Sequence, residues 1–272
     1  MPRVDAEGQF DVMAPPKKNR VASPISDAAN RWLAESIRAT VFFASAKPNK
    51  LDLWKEIAGS QPDTVTEHPS QGARQSIGAF GNGVLTTNQL PGRTDIIYAP
   101  KDRTEQNNID SPFVDIGLFS EAEKLFDEKT SSAILEAEDC IRVAYAPIVL
   151  IADRSMIDSN KVFDLFMPNL KINVETDSDI SLQINRPKFL DNHDGIRINR
   201  VFKWQVTEMQ LIQIATPNSI PAKLTTASMC RLDLDLSTDA RNATAFDQYK
   251  LKDLFYVLKS EAKKIIMAGD FS

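Results

Sequence analysis

Residues 73–99 read ARQSIGAFGNGVLTTNQLPGRTDIIYA, and two turn signals divide them. Gly81-Asn82-Gly83 contains an Asn-Gly pair, which supplies the positive φ angles of a tight hairpin turn. Pro91-Gly92 offers Pro then Gly, as a β-turn favours. The runs between are Ala73–Phe80, Val84–Leu90 and Thr94–Tyr98. Strands joined by two-residue turns must be antiparallel neighbours, so the stretch predicts a three-stranded meander and a mostly antiparallel sheet. The glycines of 78–83 do not make a phosphate loop, because the GxxxxGK[ST] spacing and a strand–loop–helix setting are both missing.

Upstream of the meander, Ser36–Ala44 reads as a strand with Ile37, Ala39, Val41 and Phe43 on one face. Lys50–Ala58 carries Leu51, Trp54, Ile57 and Ala58 at helical spacing, and Gly59 stands at the C-cap. A short helix is expected near Asp27–Leu33, and residues 1–28 read as a disordered tail with the basic cluster Lys17-Lys18-Asn19-Arg20. Downstream, a polar loop (Pro100–Pro112) leads to a helix over Leu118–Glu138.

The second half repeats this order. Ile141–Ile151 is a strand, and Asp158-Ser159 caps a helix that Pro168 ends. Strands follow at Ser181–Arg186, Gly195–Ile214 (with a break near Thr207-Glu208) and Ser228–Leu236. A helix over Ala245–Ala268 closes the chain, with Gly269 after it. The expected fold is α+β: a mostly antiparallel curved sheet packed by long helices. It is built from two pseudo-repeated β-α-β-β-β-α halves, 29–138 and 139–272, which share one core.

The chain has 272 residues, 42% hydrophobic and 25% charged, enough for a large core without staples. Its net charge of −5 and pI near 5.2 argue against a dedicated nucleic-acid binder. The two cysteines, Cys140 and Cys230, form no CxxC pair, and the two histidines are His68 and His193, so no zinc site and no other cofactor is expected. No apolar run follows Met1-Pro2-Arg3-Val4-Asp5, and the longest such run is Ala146–Ala152, the length of a strand. A cytoplasmic protein without membrane contact is the expectation.

The most unusual segment holds Ile184-Asn185-Arg186-Pro187 and Arg197-Ile198-Asn199-Arg200, with Lys203-Trp204 following. Strand alternation puts Arg200 on the face of Ile196, Ile198, Phe202, Trp204 and Val206, and puts Arg186 on the face of Ile184. An arginine on an apolar face must be paired or must reach a polar site. Two readings stay open: Arg186 and Arg200 form an anion site, or each pairs internally. His193, in the turn Asp191-Asn192-His193-Asp194-Gly195, is a candidate base beside its aspartates. Asp233 and Asp235 point the same way from one strand and are a weak candidate for a metal, although Leu-Asp-Leu-Asp-Leu is also the pattern of any half-exposed strand.

Phe80-Gly81-Asn82-Gly83, Leu90-Pro91-Gly92-Arg93-Thr94-Asp95, Ile184-Asn185-Arg186-Pro187 and Arg197-Ile198-Asn199-Arg200 with Lys203-Trp204 resemble the motifs of a family of bacterial proteins that has no established activity. The resemblance spans most of the chain after residue 28. It implies a shared fold and no particular chemistry.

No catalytic constellation stands out. The first expectation is a non-catalytic binding or scaffold subunit of a bacterial intracellular complex, with a protein partner or a second copy of itself. Its contact surface would be Asn185, Arg186, His193, Arg197, Asn199, Arg200, Lys203 and Trp204. The alternative is an enzyme or sensor holding an anionic small molecule through Arg186 and Arg200. Nucleic-acid binding by the sheet is a third reading, by analogy of fold alone.

Overall fold

The 73–99 stretch forms the meander that its turns predict. In the computed structural model, which describes residues 24–46, 53–102, 112–190, 193, 195–213, 223–242, 244–269 and 271, strands β3 (Ala73–Phe80), β4 (Gly83–Leu90) and β5 (Arg93–Ala99) pair antiparallel in sequence order. The first turn differs in detail from the sequence reading. Phe80 pairs with Gly83, so Gly81-Asn82 makes the turn, with Gly81 at φ 52°. Gly83 belongs to the strand for another reason: a Cβ there would lie 2.2 Å from the carbonyl oxygen of Ala99.

Around the meander lie helix α1 (Pro24–Ala29), β1 (Leu33–Phe43), α2 (Leu53–Ala58), β2 (Thr64–His68) and α3 (Phe119–Leu135). The second half holds β6 (Cys140–Asp153), α4 (Met156–Phe166), β7 (Ser181–Asn185), β8 (Lys188–Leu190), β9 (Ile196–Gln213), β10 (Lys223–Thr238) and α5 (Gln248–Ala268). All ten strands enter one antiparallel sheet, in the order β2-β3-β4-β5-β1-β6-β10-β9-β7, with β8 also on β9. β1 and β6 meet at its centre, with Val41 opposite Val143. Each half pairs its first strand with its last: β1 with β5, and β6 with β10. The protein is thus α+β with a mostly antiparallel sheet, and among the described residues no helix is long and apolar enough to cross a membrane.

The helices touch one another (α2 on α3, α3 on α5, α1 on α4 and α5) and so form a single layer. Alternation in the strands sends one set of side chains into that layer. Ile37, Tyr98, Tyr145, Trp204 and Leu234 from the sheet pack in one continuous core with Phe126, Phe163, Phe255 and Leu258 from the helices. Burying each such side chain is worth about 1.5–3 kcal/mol relative to leaving it in water. All three tryptophans are buried in this core; Trp32 donates to the carbonyl of Ile266 at 2.9 Å and Trp54 to that of Leu85 at 3.3 Å.

Several boundaries shift from the sequence reading. Helix α1 begins inside the segment read as tail, and its Ala28 and Ala29 are buried; residues 1–23 lie outside the described residues. The cap of α4 is Ser155 rather than Asp158-Ser159: its hydroxyl accepts from the Asp158 N–H at 3.2 Å and donates to the Asp158 carboxylate at 2.7 Å. β9 runs without a break at Thr207-Glu208, because Met229 and Ser228 of β10 pair through those positions. β2 adds an edge strand that the sequence reading lacks, since all five of its residues are exposed and show no alternation.

Candidate functional site

The two Ile-Asn-Arg strands lie next to each other, β7 on β9, with Ile184 opposite Phe202. Arg200 points into the helix layer and is 4% exposed. Its Nη1 donates to Glu261 Oε2 of α5 at 3.0 Å, and its Nε donates to the Arg186 carbonyl at 3.0 Å. The Arg186 N–H donates back to the Arg200 carbonyl at 2.8 Å. Glu261 also accepts from Lys264 at 3.0 Å and faces Lys188 at 3.4 Å. Burial alone would raise the Glu261 pKa; the Lys264 hydrogen bond and the charges of Lys188, Lys264 and Arg200 bring it below its ordinary value. The Arg200 guanidinium is therefore committed to the fold, and only the main chain of Arg186 joins it there.

Alternation distributes the remaining candidates over two faces. Arg197, Asn199 and Lys203 lie on the face turned away from the helices, and Arg197 is 3.8 Å from Asp239. Trp204 is buried on the helix side, its ring centroid 5.5 Å from that of Phe166 and 5.9 Å from that of Phe163. Arg200 and Trp204 thus share no surface with Arg197, Asn199 and Lys203. Asn185 is exposed on β7. His193 meets Asp253 of α5, Nδ1 to Oδ2 at 3.4 Å, whereas Asp191 and Asp194 lie outside the described residues.

Asp233 and Asp235 stand on the open face, each beside a cation: Arg231 at 3.6 Å and Arg38 at 3.9 Å. Among the described residues no group of three or more His, Cys, Asp or Glu is placed to hold a metal ion.

Both cysteines are free and buried. Burial raises Cys140 to about 11, against hydrogen bonds at Arg142 and Phe42, and raises Cys230 well above its ordinary value. Nucleophilic chemistry needs the thiolate, so neither is poised for it at neutral pH. We expect Ellman's reagent to label neither cysteine in the native protein and both after unfolding; fast labelling of the native protein would contradict this burial.

The open face carries a feature that no sequence pattern announced. Arg231 sits between Leu150 of β6 and Gln205 of β9. Its Nε and Nη2 donate to the two carboxylate oxygens of Glu35 at 2.6 and 3.1 Å, and its Nη1 donates to Gln205 Oε1 at 2.9 Å. This polar network is one part of a cleft of about 730 Å³. Leu150, Met209 and Met229 line it from the sheet, and Phe113 and Val114 line it from the segment beyond β5. Its residues come from five strands and a loop, and no periodicity within one strand marks them out. Comparison of the chain with protein families, curated proteins and solved structures finds no match.

Proposed function

We propose that this chain is a non-catalytic binding subunit of a cytoplasmic complex, and that the open-face cleft seats an apolar segment of a protein partner, a second copy included. The observation that carries this reading is the cleft itself: about 730 Å³, of the size that binding pockets have, with apolar walls around a small polar group. Its methionines are adaptable contacts for an apolar side chain. Its guanidinium is already held bidentately by Glu35, so the cleft suits a neutral apolar guest better than an anion. Gln205 takes Arg231 on its oxygen, which leaves its amide N–H₂ to donate to a guest carbonyl.

The anion-binding alternative, as an enzyme or a sensor, keeps only Arg186, since Arg200 is taken by Glu261. For nucleic acid, the pairings Arg38–Asp235, Arg197–Asp239 and Arg231–Glu35 set an acid beside each of these cations, so they build no continuous basic stripe for phosphates.

The test is a photo-cross-linking amino acid placed at Met229 in the native host. One discrete protein adduct is expected, and it should disappear when Met209, 39% exposed at the cleft, is changed by Met209→Glu. No adduct, or an adduct indifferent to Met209→Glu, would remove the reading.

A further inference from the structure

On the helix side of the sheet, beyond the C-terminal end of α4, lies a second cavity of about 200 Å³. Phe166, Leu170, Ile184, Phe202, Trp204 and Phe271 give it apolar walls. The ring of Phe271 stands 5.3 Å from that of Phe202 and 6.4 Å from that of Trp204 and forms one side. An engineered apolar cavity of about 150 Å³ holds one benzene ring, so this space admits a single ring or a short branched chain.

The polar side chains at the same walls are those of Asn169 and Arg186. Arg186 is exposed, lines the cavity, and has no ion-pair partner among the described residues. Trp204 contributes to the wall, and its indole N–H is buried behind it without an acceptor. An apolar space with an uncommitted guanidinium beside it matches a guest with a hydrocarbon body and an anionic end.

We propose that this cavity binds a small apolar carboxylate, with its ring or branched chain in the cavity and its carboxylate on Arg186. The site is independent of the open-face cleft, which lies across the sheet, and does not use Arg200. The last carbonyls of α4 carry partial negative charge at the Phe166 end, so the preference for an anion rests on Arg186 alone.

Phenylacetate is the probe, and the Trp204 indole N–H resonance in a ¹H–¹⁵N spectrum is the readout. We expect a saturable shift with Kd of about 0.1–1 mM, the range for a ligand of this size. Arg186→Gln, at an exposed position that leaves the core untouched, should weaken phenylacetate about tenfold or more. Neutral phenylacetamide should bind the wild-type protein about as weakly as phenylacetate binds the variant. Absence of a saturable shift with phenylacetate overturns the site. Equal phenylacetate affinity in wild type and Arg186→Gln overturns the anion assignment and leaves Arg186 as a cation at the carbonyl end of α4, where its loss would lower Tm without touching binding.

Discussion

Replacing Glu261 by alanine should cost about 3–5 kcal/mol of stability, because it strands the Arg200 guanidinium in the core without its carboxylate. The reason lies in where the partners sit. Arg200 projects from β9 among Ile198, Phe202 and Trp204, and Glu261 projects from α5 beside Leu258, Ala262 and Ile265, each on an otherwise apolar face. Lys188 and Lys264 reach Glu261 from its rim and cannot follow Arg200 inward. Removing both members, by Arg200→Met with Glu261→Leu, should restore most of the loss, since an apolar pair of similar volume needs no desolvation. Urea unfolding midpoints of the two single variants and the double variant measure this. A double variant no more stable than Glu261→Ala would show that the pair does more than neutralise itself. The pair also sets a pH dependence. The folded pKa of Glu261 is lowered, so its stabilisation is present above the unfolded value of about 4.3 and is lost as pH falls through the folded one. The stability gap between wild type and Glu261→Gln should therefore narrow below about pH 4.

Gly83→Val should be of similar size, about 3 kcal/mol or more, through overpacking against backbone. A Cβ at Gly83 would meet the Ala99 carbonyl oxygen at 2.2 Å and Ile116 Cγ2 at 2.7 Å. Backbone atoms in a paired ladder cannot rotate away as a flexible side chain can, so β4 must part from β5 or the 112–117 segment must lift. Ile116 and Gly117 exchange main-chain hydrogen bonds with Ala34 of β1, which carries the disturbance to the centre of the sheet. A loss of 3 kcal/mol corresponds to roughly 6–12 °C in Tm for a domain of this size. Gly92→Ala is the control: a Cβ there meets nothing within 4 Å, and its Tm should barely move. Equal effects of the two substitutions would refute the clash argument.

What could be read in the sequence was what neighbouring residues decide. Paired turns set the meander, and alternating leucines set the core face of β10. The helical stripe Leu251, Leu254, Phe255, Leu258 set the buried side of α5. Arg200 was legible as an anomaly on an apolar strand face, but its partner was not, because Glu261 follows 61 positions later. The signal was there to use: Glu261 sits on the apolar stripe of α5, three residues after Leu258, and two opposite charges on two apolar faces point at each other. β2 escaped because an edge strand with every side chain exposed has no period to detect. The open-face cleft escaped because Glu35, Leu150, Gln205 and Arg231 each look ordinary within their own strand and meet only through the sheet order.

The central seam between β1 and β6 has a consequence for the growing chain. β1 is complete at Phe43, and β6 begins about a hundred residues later at Cys140, an interval of roughly 5–20 s at ordinary rates of synthesis. From the arrival of β5 until that of β6, the strand that ends as the middle of the sheet is its border, and an unpaired border is a template for foreign strands. The nascent protein is thus most exposed to mispairing at the place where the finished one is best protected.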